Sequence, residues 1–288
     1  MQYLVLMGIC WAVLALLFFL VFSVQVPGQS RPDWYINMTT VFEVVAFLWA
    51  AILCFRNWRS PQIVSGRSVW LLIGLGMLSY FIGGVLFSYW ETVLGIEPDV
   101  SPGDIFYVLT YIFLILGMGL AVSSRRLNLE VWQWGVITVI AALGILVAWW
   151  ISAGAGTTYV TSAETANVPE WAKFLEATLA PLKSFLDWFY VVSDILLLII
   201  AAMMLLAFWG GRFSQSWRMI AAAAFCLYIA DIWFKYATSR PGTTYESGGV
   251  LEVFWIFSGI LFGIGAALEY DLSSRSRNRG MGRRRPIT

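Results

Sequence analysis

The chain has 288 residues, 60% of them hydrophobic and 12% charged, with 18 basic and 17 acidic side chains and no histidine. A soluble core of this size buries about three quarters of the unfolded chain's surface, too little to hide so much apolar area, so the surplus requires hydrocarbon as solvent. The lack of histidine excludes imidazole metal and haem sites, phospho-accepting histidines and the usual serine triad. Cys10, Cys54 and Cys226 lie singly in apolar runs, which argues against a disulfide framework or a zinc site.

In chain order, eight apolar runs approach or exceed the ~20 residues a bilayer helix needs. They cover about 3–25, 38–56, 69–90, 104–123, 131–152, 185–209, 217–238 and 250–270. The first is too long for a signal-peptide core and has no small-residue cleavage site behind it, so it reads as a retained anchor. The expected fold is an all-α integral membrane protein, an eight-helix transmembrane bundle. Residues 1–130 form a first four-helix unit and 131–272 a second, which carries an amphipathic outer loop at 153–183. Residues 273–288 form a basic tail, rich in arginine, serine and glycine, that is expected to be disordered or to lie on anionic headgroups.

Loop charges set the orientation. Arg56, Arg59 and Arg67, then Arg125 and Arg126, then Arg212 and Arg218, fall on one side, and the tail adds Arg275, Arg277, Arg279, Arg283, Arg284 and Arg285. The opposite loops carry Glu91, Glu97 and Asp99, then Glu164, Glu170 and Glu176, then Glu246, with scattered Arg31, Lys173, Lys183 and Arg240. Thirteen of the 18 basic residues thus share a side, and the positive-inside rule puts both termini in the cytoplasm of a bacterial inner, or other energy-transducing, membrane.

Within loop 153–183 a polar, Thr-rich stretch precedes Asn167 and Pro169, which read as a helix start. Trp171, Phe174, Leu175, Leu179 and Leu182 then recur at helical spacing, predicting a short amphipathic helix on the outer surface or over the bundle mouth.

Spans one to four and five to eight read as a 4+4 parallel internal repeat. Asp104-Ile105-Phe106-Tyr107-Val108 opens the fourth and Glu252-Val253-Phe254-Trp255-Ile256 the eighth, while Tyr80 aligns with Tyr228 and Gly117 with Gly265.

Charges inside spans are costly and point to function or to pairing. Asp104, Tyr107 and Tyr111 share one helical face, as do Asp187, Tyr190 and Asp194, and as do Tyr228, Asp231 and Lys235. Asp231 and Lys235 are i, i+4 neighbours able to pair. Asp104 and Glu252 lie at the outer entrances of their spans, Glu43, Asp187 and Asp231 in the outer part, and Asp194 near mid-membrane, and the cytoplasmic halves are expected to hold no ionisable group. The predicted site is therefore a cavity opening outward, lined by acids and tyrosines and suited to a cation, an amine or a proton. Its candidate ligand-binding residues are Glu43, Tyr80, Asp104, Tyr107, Tyr111, Asp194, Tyr228, Asp231, Lys235, Glu252 and Trp255. The plainer alternative has Asp231 paired with Lys235, the entrance acids capping their helices, and Asp194 bonded to a tyrosine.

Aromatic residues at span ends read as interfacial belts, with Trp34, Tyr35, Tyr89, Trp90, Trp149, Trp150 and Trp188 outside and Trp58, Trp132, Trp134, Trp209 and Trp217 inside. Gly259 and Gly263, with Gly74, Gly76, Gly83, Gly84, Gly117 and Gly119, read as close-packing sites against which a lipid or pigment could also lie. No cofactor, metal site or catalytic set is expected. The expected partners are membrane lipids and a protein in the membrane or cytoplasm, not nucleic acid.

The segment Ser101-Pro102-Gly103-Asp104-Ile105-Phe106-Tyr107 resembles the Pro/Ser-x-Asp-x-hydrophobic-Tyr signature of multi-span sensor regions in bacterial diguanylate cyclases and histidine kinases. Leu227-Tyr228-Ile229-Ala230-Asp231-Ile232 and Glu252-Val253-Phe254-Trp255 are similar to the later helices of those regions. The resemblance covers spans two to eight and implies that Asp104, Tyr107, Asp231, Glu252 and Trp255 belong to a sensing bundle. Those families continue into a cyclase or kinase, and here a basic tail stands in that place, so output is expected through a partner.

The leading expectation is a non-catalytic polytopic protein, either a sensor-like ligand-binding bundle or an accessory subunit of a larger membrane complex. A secondary transporter for a cation or amine is the alternative. A third class, an intramembrane hydrolase, would need Asp194 and Asp231 to act as an acid pair.

Overall fold

A computed structural model describes residues 2–24, 31–95, 100–123, 130–153, 169–207, 214–239 and 245–282. Its helices are α1 (Gln2–Phe22), α2 (Asp33–Arg59), α3 (Arg67–Ser88), α4 (Gly103–Ser123), α5 (Val131–Ala153), α6 (Glu170–Leu179), α7 (Lys183–Ala207), α8 (Ser214–Ser239) and α9 (Val253–Gly282). A π-helical turn, Tyr89–Val93, extends α3, and 3-10 turns Ala180–Leu182 and Val250–Glu252 lead into α7 and α9. Among the described residues no strand occurs, and eight helices are long and apolar enough to cross a bilayer. In hydrocarbon every backbone N–H and C=O must be satisfied within the segment, which an α-helix alone does without a partner strand. The chain is an all-α integral membrane protein.

Six helices close into a ring. α2, α3 and α4 pack in sequence, α4 meets α7, α7 packs on α8 and α8 on α9, and α9 returns to α2. α1 leans on α9 from outside and α5 on α7. Both outer helices stay largely exposed along their length, as lipid-facing helices should.

Small residues set the spacing of the ring. A Cβ on Gly259 would sit 3.1 Å from backbone atoms of Ala46 and Phe47, and one on Gly103 would sit 2.8 Å from the Gly83 carbonyl oxygen. These glycines allow α9 to touch α2 and α4 to touch α3 at backbone contact. Gly76 and Gly117 likewise admit side chains of the neighbouring helix, whereas Gly119 faces open space.

Several expectations are corrected. The tail expected to be unfolded from Ser273 remains helical to Gly282; residues 283–288, with Arg283, Arg284 and Arg285, lie outside the described residues. So do Glu97, Asp99, Arg125, Arg126, the Thr-rich stretch with Glu164 and Asn167, Trp209, Arg212 and Arg240. Tyr35, Trp90 and Trp217 are buried rather than belted: the Tyr35 hydroxyl donates to the Gly248 carbonyl at 2.7 Å, Trp90 packs under α6, and Trp217 lies against Trp70. Trp34, Tyr89, Trp149, Trp150, Trp188, Trp132 and Trp134 are exposed, as belt residues should be.

Nor are polar groups confined to one end. Glu269 on α9 is fully buried, and its carboxylate accepts hydrogen bonds from Ser65 Oγ at 2.7 Å and Ser273 Oγ at 3.3 Å. Trp70 Nε1 donates to Ser65 Oγ, and Asn57 Nδ2 donates to the Ala266 carbonyl at 2.8 Å. This network ties α2, α3 and α9 together at the end of the ring remote from the cavity.

The helix expected near Pro169 is present as α6, with a different buried face. Ala172 and Leu175 pack on Trp90 and Leu94, Trp171 meets Trp90 edge-on while staying half-exposed, and Phe174 and Leu182 point outward. Pro181 interrupts the run between α6 and α7.

Candidate functional site

At the end of the ring formed by the start of α2, α4, α7 and α9 and the close of α3 and α8 lies a cavity of about 240 Å³. Ten of the eleven candidate residues line it: Glu43, Tyr80, Asp104, Tyr107, Tyr111, Asp194, Asp231, Lys235, Glu252 and Trp255. Tyr228 does not. It turns toward α5, and its hydroxyl donates to the Gly144 carbonyl at 3.3 Å. Asp231 and Lys235 on α8 reach into the ring, whereas Tyr228, deeper along the helix, meets α5.

The deepest groups form one network. The Tyr111 hydroxyl lies 2.6 Å from Asp194 Oδ1 and 2.6 Å from Asp231 Oδ2. Trp255 Nε1 donates to Asp231 Oδ1 at 2.7 Å. Asp194 sits roughly 17 Å along α7 from its start, at 1.5 Å per residue. Below it Leu114, Met118 and Leu197 are sealed from solvent and form an apolar floor.

The expected Asp231–Lys235 pair is not made. Lys235 instead pairs with Asp187 of α7 at the rim, where both side chains are partly exposed. A lysine one turn nearer the helix end reaches the mouth more easily than it can fold back to a buried acid.

The entrance acids cap helices and line the cavity at the same time. Asp104 Oδ2 accepts from the Ser101 backbone N–H at 2.7 Å, and its Oδ1 accepts from the Tyr190 hydroxyl at 2.6 Å. Glu252 accepts from the backbone N–H groups of Gly248 and Gly249, at 2.7 and 2.9 Å, and from the Tyr245 hydroxyl at 2.8 Å. Gly248 has φ +99°, and a Cβ there would lie 2.5 Å from the Tyr35 ring, so only glycine offers both the turn and the close approach. Burial and the neighbouring Glu252 carboxylate push the Tyr245 phenol well above its ordinary value, which keeps it a donor.

Sequence reasoning missed Glu91, Lys183, Asp187, Tyr190 and Tyr245 as lining residues. Asp187 and Tyr190 share the Asp194 stripe and could have been included on that ground. Glu91 could not: it enters the lining from the π-helical turn, whose extra residue per turn shifts the helix face, and no composition signal marks that turn.

Seven carboxyl groups therefore face the cavity against two lysines, Lys183 and Lys235. Aromatic walls complete it: Tyr80 stacks on Phe47 and meets Tyr107 edge-on, and Tyr111 packs beside Tyr190. Acids and π-faces together attract cations, and most strongly those with an apolar body. Among the described residues no group of three or more acidic or thiol side chains converges as a metal-ligating set. At ~30 Å³ per water-sized group, the cavity admits about eight such groups. Comparisons with protein-family models, with curated proteins and with solved structures found no match to the chain.

Proposed function

We propose that the chain is a non-catalytic, sensor-like ligand-binding bundle that takes a small organic cation into the ring cavity. One observation carries this reading: seven carboxyl groups and a set of tyrosine rings surround a single void that two lysines cannot neutralise. Desolvating acids without counter-charge costs several kcal/mol per ion, and a cationic guest offsets that cost. The apolar floor at Leu114, Met118 and Leu197 offers no path onward, which favours binding over transport. The Tyr111 hydroxyl occupies the place between Asp194 and Asp231 that a hydrolytic water would need, which favours binding over hydrolysis. With no catalytic group assigned, occupancy is read by a protein partner in the membrane or cytoplasm. A role as accessory subunit of a larger complex uses the same surfaces.

The test is calorimetric titration of purified protein in lipid nanodiscs with choline, putrescine and tyramine. At least one should bind saturably, and Glu43→Gln or Asp231→Asn should weaken it about tenfold, the size of one ~1.4 kcal/mol charge contact. Benzoate should not bind. Saturable benzoate binding, or no binding by any of the three cations, overturns the proposal.

The arginine bias supports a bacterial inner-membrane location with both termini cytoplasmic, the cavity facing outward. The pairing of α2 with α9 and of α4 with α7 is what a parallel repeat would produce, although α5 seats differently from α1. Glu170, with its side chain 91% exposed, reports the orientation. A Glu170→Cys variant should react with an impermeant maleimide on intact cells, and Val131→Cys only after permeabilisation; the reverse pattern inverts the assignment.

A further inference from the structure

We infer that Asp194, Tyr111 and Asp231 form a proton-exchange site, in which a proton held between the two acids leaves when a cation enters the cavity. The inference rests on the cation-binding reading above and adds what that binding displaces.

The proton follows from counting hydrogens. A phenol carries one, yet the Tyr111 oxygen lies 2.6 Å from a carboxyl oxygen on either side. With both acids ionised, one of these contacts would set lone pair against lone pair. A second hydrogen is therefore required, and it belongs to a carboxyl group. Asp231 already accepts from Trp255 Nε1, a group that can only donate, and Tyr111 supplies its second oxygen. Asp231 is thus the ionised partner. Asp194 is almost wholly buried and receives no backbone or lysine donor among the described residues, so it carries the proton and donates it to the Tyr111 oxygen.

The surroundings favour exchange rather than a fixed proton. On α4, Tyr107 and Asp104 stand above Tyr111; on α7, Tyr190, Asp187 and Lys183 stand above Asp194. α8 adds Lys235 at the rim and Tyr228 on its α5 side, and α9 adds Glu252 beside Trp255. α2 contributes Glu43, and α3 contributes Tyr80 and Glu91. Helix α5, packed behind α7, brings no titratable group. The negative field of these acids holds the proton while the cavity has no other cation. An ammonium guest lowers that field and pairs with the carboxylate, so the Asp194 O–H bond breaks heterolytically and the proton passes to water at the mouth. Tyr111 remains a neutral phenol, and no electrons move.

The experiment is the titration of the wild-type chain in nanodiscs with choline, which has no titratable nitrogen, and with tyramine. Each is run at one pH in phosphate and in HEPES, whose ionisation enthalpies differ and neither of which is a net cation. The expected result is an enthalpy that depends on buffer and corresponds to about one proton released per bound cation. In Asp194→Asn, which keeps the shape and removes both the proton and the carboxylate, binding should weaken and the enthalpy that remains should not depend on buffer. Infrared difference spectra should show a protonated-carboxyl C=O band in the wild type that is lost both on cation binding and in Asp194→Asn. Binding with a buffer-independent enthalpy, or a wild type without that band, overturns the exchange site and leaves the binding reading intact. Absence of binding by choline, tyramine and putrescine alike overturns both.

Discussion

Replacing Tyr111 by phenylalanine should destabilise the bundle by about 3 kcal/mol or more. The substitution leaves a nearly isosteric ring but removes the one hydroxyl that lies within 2.6 Å of both Asp194 and Asp231. Asp194 and Asp231 would then each lose a partner above the Leu114 and Leu197 floor. Breaking a buried charge network by deleting one partner typically costs ~3–5 kcal/mol, because the remaining groups keep their desolvation penalty. The measurement is the thermal midpoint in nanodiscs. Adding Asp194→Asn to Tyr111→Phe should cost less than the sum of the two single losses, since both changes act on the same contact. The non-additivity of that double-mutant cycle is the diagnostic. If Tyr111→Phe melts like the wild type, the hydroxyl does not hold the two acids.

Glu252→Ala should be comparably damaging for a different reason. The Glu252 carboxylate receives three donors, the Gly248 and Gly249 N–H groups and the Tyr245 hydroxyl. Deleting it strands all three in a buried position, at roughly 1 kcal/mol or more each, for a total near 3 kcal/mol. It also releases the turn that Gly248 makes over Tyr35, and with it the Arg31 contacts to the Glu246 and Ser247 carbonyls that tie the start of α2 to the start of α9. Glu252→Gln keeps one acceptor oxygen, which can serve the Gly249 N–H and the Tyr245 hydroxyl, while its amide NH2 would face the Gly248 N–H, so it should lose less than alanine does. Thermal melts of the three proteins side by side check the ordering, and equal losses for alanine and glutamine would show that charge, not capping, is what matters at this position.

These two sites show how the sequence and the structure divide the information. Asp104 and Glu252 were legible as paired entrance acids, because a carboxylate in the first turn of an apolar helix has few roles besides capping. Asp194 and Asp231 were legible as buried acids by depth alone. That one tyrosine would serve both was not: Tyr111 belongs to the Asp104 stripe in sequence, and its partners lie 83 and 120 residues away. The Lys235 pairing failed for the same reason. Helical spacing offered Asp231 as a neighbour, and the arrangement of the ring gave the lysine a better one in Asp187. At the other end, Glu269 fell at the edge of the last apolar run, where a charge reads as a membrane boundary; only the extension of α9 and the approach of Ser65 bury it.

The order of apolar and charged residues along the chain determined that it lives in a bilayer, with eight apolar spans and acids gathered toward particular helix ends, because the cost of placing apolar surface in water and charge in hydrocarbon is set locally, residue by residue. Which helices close the ring, which faces turn inward, and which acid meets which donor were decided only in three dimensions. Those choices depend on glycine-sized gaps such as Gly103 against Gly83 and Gly259 against Ala46, and on a single π-helical turn that swings Glu91 inward. Packing between helices in lipid gains nothing from apolarity and is settled by shape, and shape is a property of pairs that are distant in the chain.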